Sequence, residues 1–409
     1  MKNTRRDFLK SSALASAAFM MPRFLFAGLN SSTALRNARL TSAVGQGKKL
    51  VIIQFSGGND GLNCLIPFST DTYYELRPDI AIYRDEVLKL TPDAALNPNL
   101  YFLADLYHDG NLAIVNSVGY PNPNRSHFRS MDIWQSASDS GQYLSSGWIG
   151  RALDSTCNDN CTMPHAAVEL DDTLSLALKG EKLKGLALRN PKMLYQSTRQ
   201  PLLQKIAGET SAATTDNSVD FLHKTLTDTM HSADYLYSQS KIFSSRTVYP
   251  DNYFSTQMKQ IAELIISGSE TSVYYISLSG FDTHVFQKGT HNRLLKLYSD
   301  TLAAFCSDLR ANNRFSETVI LTFSEFGRRV AQNGGKGTDH GTANVIFLAG
   351  GGLRKAGMQN PVPDLQNLLD GDLQHTTDFR SVYATLLQNW LSADASRILT
   401  GNFPLMEFV

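Results

Sequence analysis

The chain has 409 residues, enough to bury a large core as one α/β domain or two smaller ones. Lysine plus arginine and aspartate plus glutamate number 38 each, so no net basic field exists to draw nucleic acid or anionic lipid. Hydrophobic content of 42% with only 19% charged residues excludes a disordered chain and fits a globular protein of enzyme size.

At the N-terminus, Thr4-Arg5-Arg6-Asp7-Phe8-Leu9-Lys10 precedes the apolar, small-residue stretch Ser11–Met21. Paired arginines before a short apolar region read as a twin-arginine export signal over residues 1–27, with cleavage expected after Ala27. The apolar run is shorter than the roughly 20 residues of a bilayer-spanning helix, so no stable membrane insertion is expected after cleavage. The twin-arginine translocase is the partner expected during export, and the destination is periplasmic or otherwise exported. Gly28–Lys48, rich in Ser, Ala and Gly, reads as a linker, and the domain proper spans 49–409.

Leu50–Phe55 is a continuous apolar run that ends at Ser56-Gly57-Gly58-Asn59-Asp60, as expected of a strand buried on both faces. Leu112–Val115 is a second such run. Cys157 and Cys161 could close a small disulfide loop in an oxidising compartment; a zinc knuckle finds only His165 nearby, and the redox motif has two intervening residues where this chain has three. From about Leu183 to Ile266 the sequence has helical pieces and no comparable strand run, and reads as a helical insertion. Val273–Leu278, Val319–Phe323 and Val345–Ala349 follow as the remaining strands. Between them Leu294, Leu295, Tyr298, Leu302, Phe305 and Leu309 mark one helix face. Thr377-Asp378 can cap a last helix carrying Val382, Leu386, Leu387 and Leu391. Strands alternating with helices predict an α/β three-layer sandwich around a largely parallel sheet.

Ligands of such sheets bind beyond the carboxyl ends of the strands. Four of these loops carry an acid, a hydroxyl or a histidine: Asn59-Asp60, Arg125-Ser126-His127, Asp282-Thr283-His284 and Ser324-Glu325. Converging carboxylates and imidazoles are a divalent-metal ligand set, so Asp60, Asp282, His284, Glu325 and His340 are the metal candidates. Histidine among oxygen ligands leans toward zinc or manganese over magnesium or calcium. Asp60 could instead make an Asx turn, and Glu325 could pair with Arg328 or Arg329. Ser126 sits at an expected helix N-terminus, where it could be an N-cap or, beside a metal, a nucleophile. His127 is a rival as ligand or general acid. Arg125 and Arg328 could clamp an oxyanion.

The twin-arginine segment, "FSGGNDGLN", "RSHF", "GFDTH", "SEFGR", "DHG" before "FLAGGG", and "DFRSVYATLLQNWL" together resemble the exported family called domain of unknown function 1501. That family is similar to the alkaline phosphatase and sulfatase superfamily. The resemblance implies an alkaline-phosphatase-like α/β fold, one or two divalent metals, and a small anionic ester as substrate. It places Ser126 at the nucleophile, Asp282, His284 and His340 in a metal site, and Asp60 and Glu325 in a partial second one. Phe326 stands where the superfamily has another histidine, and Ser126 lacks the sulfatase Cys/Ser-x-Pro-x-Arg context. The two functions expected are therefore a metal-dependent phosphate or sulfate ester hydrolase, and a non-catalytic binding or assembly protein on the same fold.

Overall fold

The computed structural model describes residues 45, 47–156, 165–208 and 217–409. The expected signal at 1–27, nearly all of the linker, and Cys157 and Cys161 lie outside the described residues. Strands of the main sheet are β1 (Lys49–Ser56), β2 (Leu112–Gly119), β3 (Ala167–Glu169), β4 (Leu186–Ala187), β5 (Val273–Ser279), β6 (Thr318–Ser324), β7 (Asn344–Ala349), β8 (Gly357–Met358) and β9 (Thr377–Asp378). Their order is β8-β2-β7-β6-β1-β5-β3-β4, with β9 also paired to β2. β1 is central and parallel to both neighbours, Leu50 lying opposite Val273 of β5 and Val319 of β6. β7 alone runs against the others, antiparallel to β2 and β6.

The apolar runs are strands because both faces of the sheet are covered. On β1, Val51, Ile53 and Phe55 enter one core, while Leu50 and Ile52 enter the other, following the two-residue period. The first core is closed by helices α2 (Tyr101–His108), α8 (Tyr253–Ile266) and α9 (Gln287–Ala311). The second is closed by α3 (His127–Ser136), α4 (Trp148–Ser155) and α10 (Phe379–Thr385). The result is the expected three-layer α/β sandwich. α9 presents Leu295, Tyr298, Leu302, Phe305 and Leu309 to its core, the face read from the sequence. Asp378 caps α10, its side chain accepting from the Arg380 backbone N–H at 2.9 Å.

Two features were not readable in advance. β2 continues past Val115 through Asn116 and Ser117, polar residues whose place is set by partners far along the chain. The Asn116 amide, for example, bonds Asn360 Oδ1 at 3.0 Å. The stretch from 183 to 266 holds helices α5 (Pro191–Thr198), α6 (Pro201–Gly208) and α7 (Asn217–Gln239). Its two ends nevertheless belong to the central layers: β4 extends the sheet, and Met258, Ile261 and Ile265 of α8 are core residues. A remaining short helix, α1 (Asp71–Leu76), lies outside the layers and positions Arg77. Among the described residues, no helix is long and apolar enough to cross a membrane.

Candidate functional site

The carboxyl ends of β1, β2, β5 and β6 and the start of β7 meet at one edge of the sheet, so loops distant in sequence converge there. Gly57 and Gly58 make the close approach possible, with φ of +122° and +76°. A Cβ on Gly57 would sit 2.4 Å from the Asp282 backbone nitrogen, and one on Gly58 would sit 2.2 Å from the Phe326 ring. Only glycine fits in this turn.

Asp282 is the hub. Its Oδ1 lies 3.0 Å from His284 Nε2 and 3.2 Å from His340 Nε2, and its Oδ2 lies 3.6 Å from His127 Nε2. The two imidazoles themselves approach to 3.0 Å between Nε2 atoms. The other nitrogen of each ring faces an acceptor. His127 Nδ1 meets Glu325 Oε1 at 3.0 Å, His284 Nδ1 meets Asp339 Oδ1 at 3.3 Å, and His340 Nδ1 meets the Arg125 carbonyl at 2.8 Å. A carbonyl can only accept, so His340 carries its proton on Nδ1. The carboxylates ask the same of the other two rings. All three Nε2 atoms then face one carboxylate, and Arg328 Nη1 lies 3.4 Å from that of His284.

Lone pairs and a carboxylate oxygen at 3.0 to 3.2 Å repel unless a cation or proton lies among them. Three imidazoles with their outer nitrogens fixed by oxygen acceptors, plus one carboxylate, form a donor set that fits a divalent cation when Nε2 carries no proton. Tetrahedral bonds of about 2.05 Å put neighbouring donors roughly 3.3 Å apart, close to the 3.0 to 3.2 Å among Asp282, His284 and His340. His127 Nε2 is also buried without a hydrogen-bond partner. His127, Asp282 and His340 offer donor atoms all within 4.8 Å of one another.

Burial opposes ionisation of Asp282, yet the Arg328 guanidinium, donating to Oδ1 at 2.7 Å, holds its carboxyl at about 2. The hydrogen bond to Glu325 raises the pKa of His127, against the opposing effect of burial. Phe326 lies beneath, its ring centroid 4.9 Å from that of His127 and 4.7 Å from that of His340. The phenylalanine thus makes an apolar floor where the resemblance suggested a ligand.

The structure redistributes several expected roles. Glu325 is fully buried and turned inward, accepting from the Gly57 N–H at 2.8 Å as well as from His127. It orients a candidate ligand and stands outside the donor cluster. Asp60 is engaged elsewhere through Oδ2, which pairs with Arg77 Nη1 at 2.7 Å and accepts from Gln287 Nε2, while its Oδ1 is buried without a partner. Burial works against that charge and Arg77 more than offsets it, holding the Asp60 pKa low. Arg328 is no oxyanion clamp. It is buried and donates to the Gly57, Gly58, Phe281 and Thr338 carbonyls, with Nη2 at 2.7 Å from Asp282 Oδ1. Arg125 is held by Asp372 at 3.0 Å. Ser126 occupies the N-cap position of α3 but makes no side-chain capping bond, so its exposed hydroxyl remains uncommitted beside His127.

Residues 112–390, which hold every member of the cluster, match the family described as Protein of unknown function (DUF1501). The chain belongs to this family. Similar solved structures include the lipoteichoic acid synthase LtaP from Listeria monocytogenes, 11% identical with a TM-score of 0.33, over 81% of this chain and 74% of that one. The PsFucS1 sulfatase from Pseudoalteromonas sp. is 12% identical with a TM-score of 0.37, over 83% and 67%. The alkaline phosphatase from the Antarctic bacterium TAB5 is 11% identical with a TM-score of 0.31, over 77% and 95%. None of the curated proteins compared matches the chain.

Two residues of this DUF1501 protein were not singled out from sequence. Asp339 was visible only as the neighbour of His340, and its acceptor role toward His284 needs the fold. Arg77, 17 residues from Asp60, carries no local signal at all.

Proposed function

We propose that this protein is an exported, metal-dependent hydrolase of phosphate or sulfate esters. The observation that supports this most is the convergence of three Nε2 atoms on Asp282, each ring fixed from behind by an acceptor. His127, Asp282, His284 and His340 would hold the ion, in a set whose histidines favour zinc or manganese. A divalent ion held there would polarise an ester oxygen and lower the pKa of a nearby hydroxyl. Ser126 would be the nucleophile: its hydroxyl is exposed, free of capping duty, and at the N-terminus of the ten-residue helix α3, where backbone N–H groups favour an anion. Glu325, Asp339 and the Arg125 carbonyl would keep the three rings in register. Arg328 would fix the Asp282 carboxylate and contribute a constant positive charge. Export would follow from the twin-arginine segment at 1–27.

One feature favours the non-catalytic alternative. Arg328 already places a cation 2.7 Å from Asp282 Oδ1, which lessens the need for a metal there. The two functions separate in one experiment on the purified mature protein. Metal content is measured, and turnover is assayed on phosphomonoesters, phosphodiesters and sulfate esters beside Ser126→Ala. The hydrolase predicts stoichiometric metal and turnover that falls at least 100-fold in the variant, with melting unchanged within about 0.5 kcal/mol. Full turnover by Ser126→Ala would remove the serine as nucleophile; bound metal with no turnover on any ester would support the binding protein.

A further inference from the structure

Beside the cluster is a cleft of about 570 Å³, lined on one side by the loop that follows β2 and on the other by residues 369–375. That volume lies in the range of small-molecule sites. Cleft and cluster share a boundary: the carbonyl of Arg125 receives His340 Nδ1, and the side chain of the same residue crosses to Asp372. The far wall is rigid. Leu368–Leu369 pairs with Asp372–Leu373 through Asp370 and Gly371, whose φ of +52° and +74° suit a tight hairpin turn, and Arg329 Nη1 holds the Asp370 carbonyl.

We propose that this cleft binds the alcohol part of the ester and that this part is a neutral, hydroxyl-rich group, a sugar or polyol. The proposal rests on the hydrolase function above. Charge is the first reason. Arg125 and Asp372 neutralise each other, and Asp370, the acid that lines the cleft, would repel a polyanion. Uncommitted hydrogen-bonding groups are the second. The Asn122 amide and the His375 ring make no hydrogen bond among the described residues. Asn124 uses Oδ1 on the Ser126 N–H and keeps its amide N–H groups, while Gln374 uses Nε2 on the Asn367 carbonyl and keeps Oε1. Arg125 Nε is buried with no partner. An alkyl chain would strip water from all these groups and return nothing, whereas hydroxyls can both donate and accept. Pro123 and Leu369 add apolar surface for the C–H face of a ring.

The test uses metal-loaded full-length Ser126→Ala protein in calorimetry, with inorganic phosphate, hexyl phosphate, glycerol 3-phosphate and glucose 6-phosphate. Glucose 6-phosphate is expected to bind at least tenfold more tightly than hexyl phosphate, with glycerol 3-phosphate between. Adding Asn122→Ala and Gln374→Ala should bring the two extremes level and leave inorganic phosphate unchanged. Equal or tighter binding of hexyl phosphate, or a preference that survives the added substitutions, overturns the proposal. If inorganic phosphate fails to bind, it is the ester function of the cluster that fails, and maltotriose at millimolar concentration then decides the cleft. Binding by the parent protein and loss in the added variant supports the cleft; no binding overturns it.

Discussion

Glu325→Ala isolates the claim that the histidines are held from behind. The carboxylate has three donors in the structure, the Gly57 N–H at 2.8 Å and His127 Nδ1 at 3.0 Å on Oε1 and the Ser324 hydroxyl at 3.1 Å on Oε2. Removing it leaves the buried Gly57 N–H unpaired, a cost of about 1 to 3 kcal/mol in stability. It also frees His127 to turn and to change tautomer, and loss of such an outer partner typically weakens metal binding 10- to 100-fold. That corresponds to about 1.4 to 2.8 kcal/mol at 25 °C. Calorimetric titration of metal-free protein with zinc reads the second quantity, and denaturant unfolding of the same samples reads the first. Glu325→Gln, which keeps one acceptor oxygen, should recover most of both. Zinc affinity equal to wild type in a clearly destabilised Glu325→Ala protein would refute the reasoning, because Glu325 would then support the fold alone.

Three further outcomes follow from the buried charges and the glycine turn. Arg77→Ala should cost about 3 to 5 kcal/mol by urea unfolding, since it strands the Asp60 carboxylate in the core, and Arg77→Met with Asp60→Asn should regain most of it; a loss below 1 kcal/mol would contradict the pairing. Gly58→Ala should lose roughly 2 to 4 kcal/mol, from a left-handed φ and from contact with the Phe326 ring, and should weaken zinc binding as the ring shifts under His127 and His340. Glu169 is raised by burial from its ordinary 4.5 to about 8, so the folded state holds a proton that the unfolded chain releases between those values. Stability therefore falls as pH rises from about 4.5 to 8, by a few kcal/mol in all, and Glu169→Gln should flatten the melting curve across pH 5 to 8. An unchanged slope would place the buried proton elsewhere.

The legible parts of the fold were those with strong local periodicity. Strands β1, β5, β6 and β7 announce themselves as apolar runs because both their faces are covered. β3 and β4, two or three residues at the sheet edge, carry no such run, and β2 is masked past Val115 by polar residues with remote partners. At the site, sequence brought Asp282, His284, His340 and His127 onto one list because each follows or precedes a strand at the same edge. It grouped Asp60 and Glu325 with them for the same reason, and there the logic failed. A loop position says that a carboxylate is near the edge; it does not say which way the carboxylate points.

Composition, periodicity and loop position by themselves determined the layered α/β class and named the loops, with their histidines and aspartate, that meet at one edge of the sheet. The tertiary structure decided direction and partnership: Glu325 turned inward to Gly57, Asp60 captured by Arg77, Arg328 locked into four carbonyls, Phe326 laid beneath two imidazoles. The physical reason is that periodicity is a local property of the backbone. Ion pairs and hydrogen bonds between residues as far apart as His127 and Glu325 exist only after the sheet has assembled their loops at one edge.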